Sequence, residues 1–385
     1  MKLEGIHVVD LSLFLPGPAM TQAMADHGAE VIKVEPPGGE PNREIGLKRD
    51  GVSVFFANTH RGKRSLVLDL KSPEGVEALL RLADTADVFV ESFRPGVVDR
   101  LGVGYQIVSA RNPRIVYVSI SAYGQTGPYR GRPAHDLAVE AMAGILSVNL
   151  GWDDRPCSPA IANADMLAAN IALSGALMAL LRRERTGRGD YVDVALMDSL
   201  IAAMPNNYGP PLAEKRQPVA KEERSWGGNA MYRLYETRDG RFVALGGAEI
   251  KFARNLLTAL GRPELIELCE LPPGPGQQPV RDFLEQKFRE KTRDEWVAWM
   301  ADKDVAFAPV KGLREGLDDP QVRHRQMVVE DDKGWEHIGL PIKFRDEPGR
   351  VDAALPERGQ HSEEILRGLG YGDAKLRAMK AKGVF

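Results

Sequence analysis

The chain has 385 residues, 43% of them hydrophobic and 27% charged, an ordinary globular composition with length enough for two domains. A formal net charge of −3 argues against general binding to nucleic acid or to an anionic membrane surface. Two cysteines, Cys157 and Cys269, are too few for a disulfide framework, and Glu4 and Asp10 break any secretory pattern, so a cytoplasmic protein is expected.

In chain order, residues 6–9 read as a first strand. A turn at Leu15-Pro16-Gly17-Pro18 follows, then a helical pattern carried by Met20, Ala23 and Met24. Residues 30–34 and 66–70 read as second and third strands, and Ser72-Pro73-Glu74-Gly75 opens a helix with the serine as cap. Residues 88–91 and 115–120 complete the series. Strands alternating with helical stretches predict an α/β fold, a Rossmann-like open parallel sheet covered by helices. The most apolar stretch, 166–181, is interrupted by Asn170 and Ser174 and reads as a buried helix short of a membrane span. Residues 203–228 are polar and Pro-containing, and read as a linker. A hairpin is expected at 230–236 and 241–245, turning at Asp239-Gly240, with helices to about residue 303 completing a smaller α+β domain. Beyond Asp318-Asp319-Pro320 the chain is linker-like again, with a last helix near 363–369. The expected division is a large domain over 1–202, a linker over 203–228, a small domain over 229–318, and a return to the large domain over 319–385.

His135, in Arg132-Pro133-Ala134-His135-Asp136, and Asp165, in Ala162-Asn163-Ala164-Asp165-Met166, are one imidazole and one carboxylate. Brought together, they are the two groups needed to take a proton from one face of a carbon and return one to the other. Each has an ordinary structural reading as well: His135 as a hydrogen-bonding residue, and Asp165 as the N-cap of the apolar helix. For Asp165 the two roles are compatible, since a helix N-terminus would orient the carboxylate and keep it ionised. Glu249, just after the hairpin, has a surface helix cap as its structural reading. Arg61, Lys63 and Arg64 make a basic patch, either a solvated turn or a phosphate contact. The seven histidines are scattered without metal-ligand spacing. No Gly-x-Gly-x-x-Gly follows the first strand, which argues against a nicotinamide dehydrogenase.

Several ordered segments share one resemblance: Gly28-Ala29-Glu30-Val31-Ile32-Lys33-Val34-Glu35, Arg94-Pro95-Gly96 with Asp99-Arg100-Leu101-Gly102, Tyr123-Gly124-Gln125-Thr126-Gly127-Pro128, and Gly359-Gln360-His361-Ser362-Glu363-Glu364. They resemble the CaiB/BaiF family, or class III CoA-transferases, whose members include 2-methylacyl-CoA racemases. The match spans essentially the whole chain. It implies an acyl-CoA enzyme with coenzyme A as part of the substrate and no permanently bound cofactor. It places CoA contacts at or near Leu68, Lys71, Phe93 and Arg100, with Arg61 and Arg64 alongside. It also implies an interlocked homodimer whose active site joins the large domain of one copy to the small domain of the other. No nucleic-acid or membrane partner is implied.

Within the family, Asp165 falls where the transferases carry a nucleophilic aspartate and the racemases one of two acid–base residues. His135 falls where the racemases carry the other, and Glu249 matches a glutamate held near that histidine. The chain departs from racemases at Ala134, where they usually have glycine, and over 136–142, which look closer to transferases. Pro36 stands where some members carry a CoA-binding arginine. The Gly-rich loop of oxalate-type transferases is reduced to Ser225-Trp226-Gly227-Gly228-Asn229. The resemblance therefore implies racemase-type α-proton transfer by His135 and Asp165, a chemistry in which backbone N–H groups, as at the Asp165 helix start, would stabilise the enolate oxygen. The alternative is class III CoA transfer to a carboxylic acid with Asp165 as nucleophile. A non-catalytic CoA-binding protein is the reading outside those two.

Overall fold

A computed structural model describes residues 1–385, apart from the side chain of Ser225, so that end of the shortened Gly-containing loop lies outside the described residues. The chain forms two units: 1–143 with 160–203 and 320–385, and 144–159 with 204–319.

The large unit is built on six strands: β1 (His7–Asp10), β2 (Glu30–Glu35), β3 (Arg64–Val67), β4 (Val88–Glu91), β5 (Val116–Ser121) and β6 (Tyr191–Ala195). All pairs are parallel, in the order β3-β2-β1-β4-β5-β6. β4 and β5 are buried along their whole length, as strands covered on both faces must be, which is why they read as unbroken apolar runs. The strand order reverses between β1 and β4. A crevice therefore opens beyond their carboxyl ends, the place where doubly wound sheets bind ligands.

Three helices matter for the site: α1 (Pro16–Asp26), α2 (Asp136–Met142) and α3 (Asn163–Thr186). α1 starts on Pro16, whose missing N–H is one the first turn would leave unpaired anyway. Gly17 is required there, because a Cβ would sit 2.1 Å from that of Ser12. α3 is 24 residues long with a mean hydropathy of 1.7, long and apolar enough to cross a membrane by length and composition. This corrects the expectation from 166–181 alone, since the helix extends on both sides of that stretch. It packs on α1, β5 and β6 and buries Ala164, Ala168, Ala172 and Ala176, while its larger apolar side chains Met178 and Leu181 stay exposed. Ser72 precedes the helix Pro73–Ala83 without capping it, its hydroxyl donating to Glu74 instead at 3.1 Å. The C-terminal segment joins this unit through β3: His361 Nδ1 accepts from Ser65 N at 3.1 Å and Ser362 Oγ from Val67 N at 3.0 Å.

The smaller unit holds an antiparallel sheet of β7 (Tyr232–Glu236), β8 (Phe242–Gly246) and β9 (Phe307–Pro309), in the order β9-β8-β7. Trp296, Phe288, Tyr235 and Leu256 form its core with the covering helices. Residues 144–159 belong here, Trp152 lying against Phe242 with ring centroids 5.8 Å apart. The stretch expected as a linker carries a helix of its own, Gly209–Glu214.

Candidate active site

The crevice beyond β1 and β4 is a cleft of about 500 Å³. The exit of β1 supplies Leu13 and Phe14, and the exit of β4 supplies Ser92, Phe93 and Arg94. Leu13 N donates to Ser92 Oγ at 2.9 Å and ties the two exits together. The loop at 130–135 and the first turn of α3 complete the wall, bringing His135 and Asp165 into one cavity.

Asp165 is not the cap of its helix. α3 begins at Asn163 after Ala162, and Asp165 lies within the first turn. The cap comes from Asp136, at the start of α2, whose Oδ1 accepts the N–H groups of Ala164 at 2.8 Å and Asp165 at 3.2 Å. One turn along the same face of α2, Glu140 accepts from Asn163 Nδ2 at 2.9 Å. Two carboxylates thus fasten the positive end of α3.

This arrangement overturns two expectations. The N–H groups of Ala164 and Asp165 are already engaged, so they are not free donors for an enolate oxygen. Nor is Asp165 held ionised. Burial, joined by the neighbouring charge of Asp136, pushes its carboxyl up to about 7. At neutral pH such a group is populated in both protonation states and can give or take a proton. Asp136→Asn keeps the accepting oxygen but removes the charge, so it should shift the Asp165-dependent limb of the pH–rate profile to lower pH. Asp136→Ala also removes the cap and should cost about 1 kcal/mol in urea unfolding. A profile unmoved by Asp136→Asn would remove Asp136 from this role.

His135 stands at the N-terminus of α2, exposed to the cleft and with no side-chain cap bond. Its ring meets that of Phe14 edge to face, with centroids 5.6 Å apart and planes at 85°. Phe14 has φ 63°, a left-handed conformation that bulky residues rarely adopt. Glu40 holds it there, Oε1 accepting from Phe14 N at 3.0 Å, while Asn42 Nδ2 donates to the Phe14 carbonyl. Glu40 is in turn buried against Lys33, 3.1 Å away. Lys33 and Lys63 also flank Asp10 beneath the β1 exit. Burial would raise the Asp10 carboxyl, but the two ammoniums and the hydroxyls of Ser12 and Thr21 hold it at about 2. A buried ionic cluster therefore fixes the loop that places Phe14 against His135.

The other sequence candidates fall in different places. Phe93 lines the cleft, Leu68 is in the core, and Lys71 and Arg100 are on the surface. The basic patch turns inward. Arg61 is buried and pairs with Asp26 at 2.9 Å, and Lys63 is buried on Asp10. Arg64 pairs with Glu30 at 2.5 Å and Glu364 at 2.9 Å. Arg61 and Lys63 are thus held by buried carboxylates, while Arg64 stays half-buried on the more exposed Glu30 and Glu364. Glu249 lies in the smaller unit, capping the helix Ile250–Ala259 by position but without a side-chain bond. Sequence reasoning missed Phe14, Asp136, Arg94, Arg130 and Arg132. For Asp136, the signal was its spacing of four from Glu140, which sets both carboxylates on one face beside His135.

Residues 3–362 match the family model described as CoA-transferase family III. The chain is 33% identical to succinyl-CoA–D-citramalate CoA-transferase of Chloroflexus aurantiacus, over 99% of this chain and 98% of that protein. It is 31% identical to alpha-methylacyl-CoA racemase of Homo sapiens, over 96% of this chain and 94% of that protein. The crystal structure of a CaiB/BaiF family protein from Brucella suis matches with a TM-score of 0.83 at 30% identity, covering 95% of this chain and 99% of that one.

Proposed function

This chain belongs to CoA-transferase family III, the CaiB/BaiF acyl-CoA enzymes, and on that footing we propose that it moves the α-proton of a 2-methylacyl-CoA, with His135 and Asp165 as the acid–base pair. One observation supports this above the others: the two side chains line a single cleft at the switch point of the sheet, and the Asp165 carboxyl sits near 7. One group takes the proton from the α-carbon, leaving a thioester enolate. The other returns a proton to the opposite face. The protonation states of the pair are then exchanged, and the thioester bond is never broken. Coenzyme A enters only as part of the substrate, and no other cofactor has a part in the chemistry.

The similarity to a succinyl-CoA transferase favours a second reading, in which Asp165 attacks the thioester carbonyl and forms a mixed anhydride that CoA thiolate later resolves. A carboxyl raised toward neutrality by burial is a poorer nucleophile than a free carboxylate, while it suits proton exchange. Chiral chromatography of a single-epimer 2-methylacyl-CoA tests the choice. The proposal expects the two epimers to approach equal amounts. An intact epimer, with CoA moved onto an added free acid, would install the second reading.

We further propose that the chain works as a homodimer. α3 leaves Met178 and Leu181 68% and 67% exposed, apolar surface of the kind a partner copy would cover. Sedimentation as a monomer at micromolar concentration would contradict this.

A further inference from the structure

Most carboxylates buried in the chain have an evident partner. Asp10, Asp26, Glu35 and Glu40 each meet a lysine or arginine, and Glu140 fastens the start of α3. Glu91 differs. It is 1% exposed and, among the described residues, has no cation beside it. A buried carboxyl without a counter-charge is costly to keep ionised, and what the fold gains in return shows in what Glu91 holds.

Glu91 ends β4. In register it stands beside Ser119 of β5, which stands beside Asp193 of β6, so the three side chains share one face of the sheet. The row fastens two loops. Glu91 Oε2 accepts from Phe93 N at 2.8 Å. Ser119 Oγ accepts from Gln125 Nε2 at 2.7 Å, and Asp193 Oδ2 accepts from Gln125 N at 3.1 Å. Both loops line the cleft that holds His135 and Asp165, the first through Phe93, Arg94 and Pro95 and the second through Ser121, Ala122 and Tyr123. The second turns at Gly124, with φ 81°, where a Cβ would stand 3.8 Å from Asp193 Oδ2. The charged groups facing Glu91 are Asp193 and, from the short helix Val97–Arg100, Asp99, with the phenols of Tyr117 and Tyr191 nearby.

We propose that Glu91 is a positioning residue of the cleft, a latch that holds the loops 93–95 and 121–125 in the shape an acyl-CoA meets. The inference needs only an acyl-CoA in the cleft, so it holds whether Asp165 moves a proton or attacks the carbonyl. Protonation governs the latch. Burial pushes the Glu91 carboxyl from 4.5 up to about 7 against the Ser119 hydroxyl and the Phe93 N–H, which favour the charged form, and Asp99 and Asp193 add to the rise. The closed latch therefore binds a proton that an open, hydrated Glu91 has lost between those values. Raising the pH through this window favours opening, and the effect is complete above the closed value.

Calorimetric binding of 2-methylbutanoyl-CoA to the Asp165→Asn variant reads the latch without turnover and without the titration of Asp165. Affinity should fall about 3- to 30-fold from pH 5.5 to pH 8, the upper figure being the limit for one carboxyl raised from 4.5 to about 7. Adding Glu91→Gln keeps an accepting oxygen for Phe93 N but removes the charge, so that part of the fall should vanish. Titrating groups of the ligand and of His135 are common to both proteins and cancel in the comparison. Amide hydrogen exchange of the unliganded Asp165→Asn protein, corrected for the intrinsic pH dependence, should show residues 92–95 and 121–126 losing protection over the same range. An unchanged pH dependence of affinity in the double variant would overturn the proposal, and a uniform loss of affinity at every pH would leave Glu91 a purely structural role. Should Glu91→Gln fail to fold, the exchange measurement still decides, since protection of both loops that does not vary with pH would also contradict the latch.

Discussion

Asp165→Asn is expected to lower epimerisation of a 2-methylacyl-CoA by about 10²- to 10⁴-fold, the share that a general acid–base group commonly carries, while the protein stays folded. The amide matches the carboxyl in size but cannot exchange a proton. The start of α3 remains capped, because Asp136 rather than Asp165 makes those bonds. The pH dependence of stability supplies an internal control. In the fold the Asp165 carboxyl is raised from 3.8 to about 7, by burial first and by Asp136 second. Between those values the folded state holds a proton that the unfolded chain has lost. Stability therefore falls as pH rises through this window, and the loss is complete above the folded value. Asparagine carries no such penalty. The variant should melt with the parent near pH 4 and above it at pH 8. An inactive variant that melts lower at pH 8 would mean that activity was lost through damage to the fold, and turnover near the parent level would remove Asp165 from the mechanism.

His135→Ala is expected to suppress α-proton exchange by a similar factor of about 10²–10⁴. The residue is exposed and its contact is the edge of the Phe14 ring, so stability should change by no more than about 0.5 kcal/mol. This substitution separates the two chemistries. In CoA transfer the imidazole has no bond to make or break, so His135→Ala would leave transfer largely standing while Asp165→Ala destroyed it. Exchange measured by mass spectrometry beside transfer to a free acid distinguishes the outcomes.

The parts of the fold legible in the sequence were those whose signals are local. β4 and β5, buried on both faces, are β-branched and aromatic runs visible at once. β3 lies earlier than expected, over Arg64–Val67, because polar Arg64 and Ser65 pair with Ile32 and Lys33 while Asp69 already turns the chain. β6 escaped notice because it is an edge strand, with exposed Asp193 interrupting its apolar residues. β9 is three residues ending in Pro309 and has no periodicity to read.

At the site, residue type offered His135 and Asp165 only as one imidazole and one carboxylate, the family resemblance gave them chemical roles, and the fold sets both in one cleft. What lay beyond reach was whatever depended on distant chain. The cap of α3 comes from 28 residues upstream of Ala164, so the local pattern pointed to Asp165 instead. The helix dipole is a local effect and was anticipated. Burial depends on distant chain, and it raises the Asp165 carboxyl. A run of cations likewise shows charge but not direction, and Arg61 and Lys63 face carboxylates of the interior.

The most direct test of α-proton transfer is incubation of the unmodified enzyme with a 2-methylacyl-CoA in D₂O, together with a free carboxylic acid. The account predicts deuterium at the α-carbon, with CoA remaining on its original acyl group. CoA on the added acid, with the α-carbon still fully protiated, would contradict it.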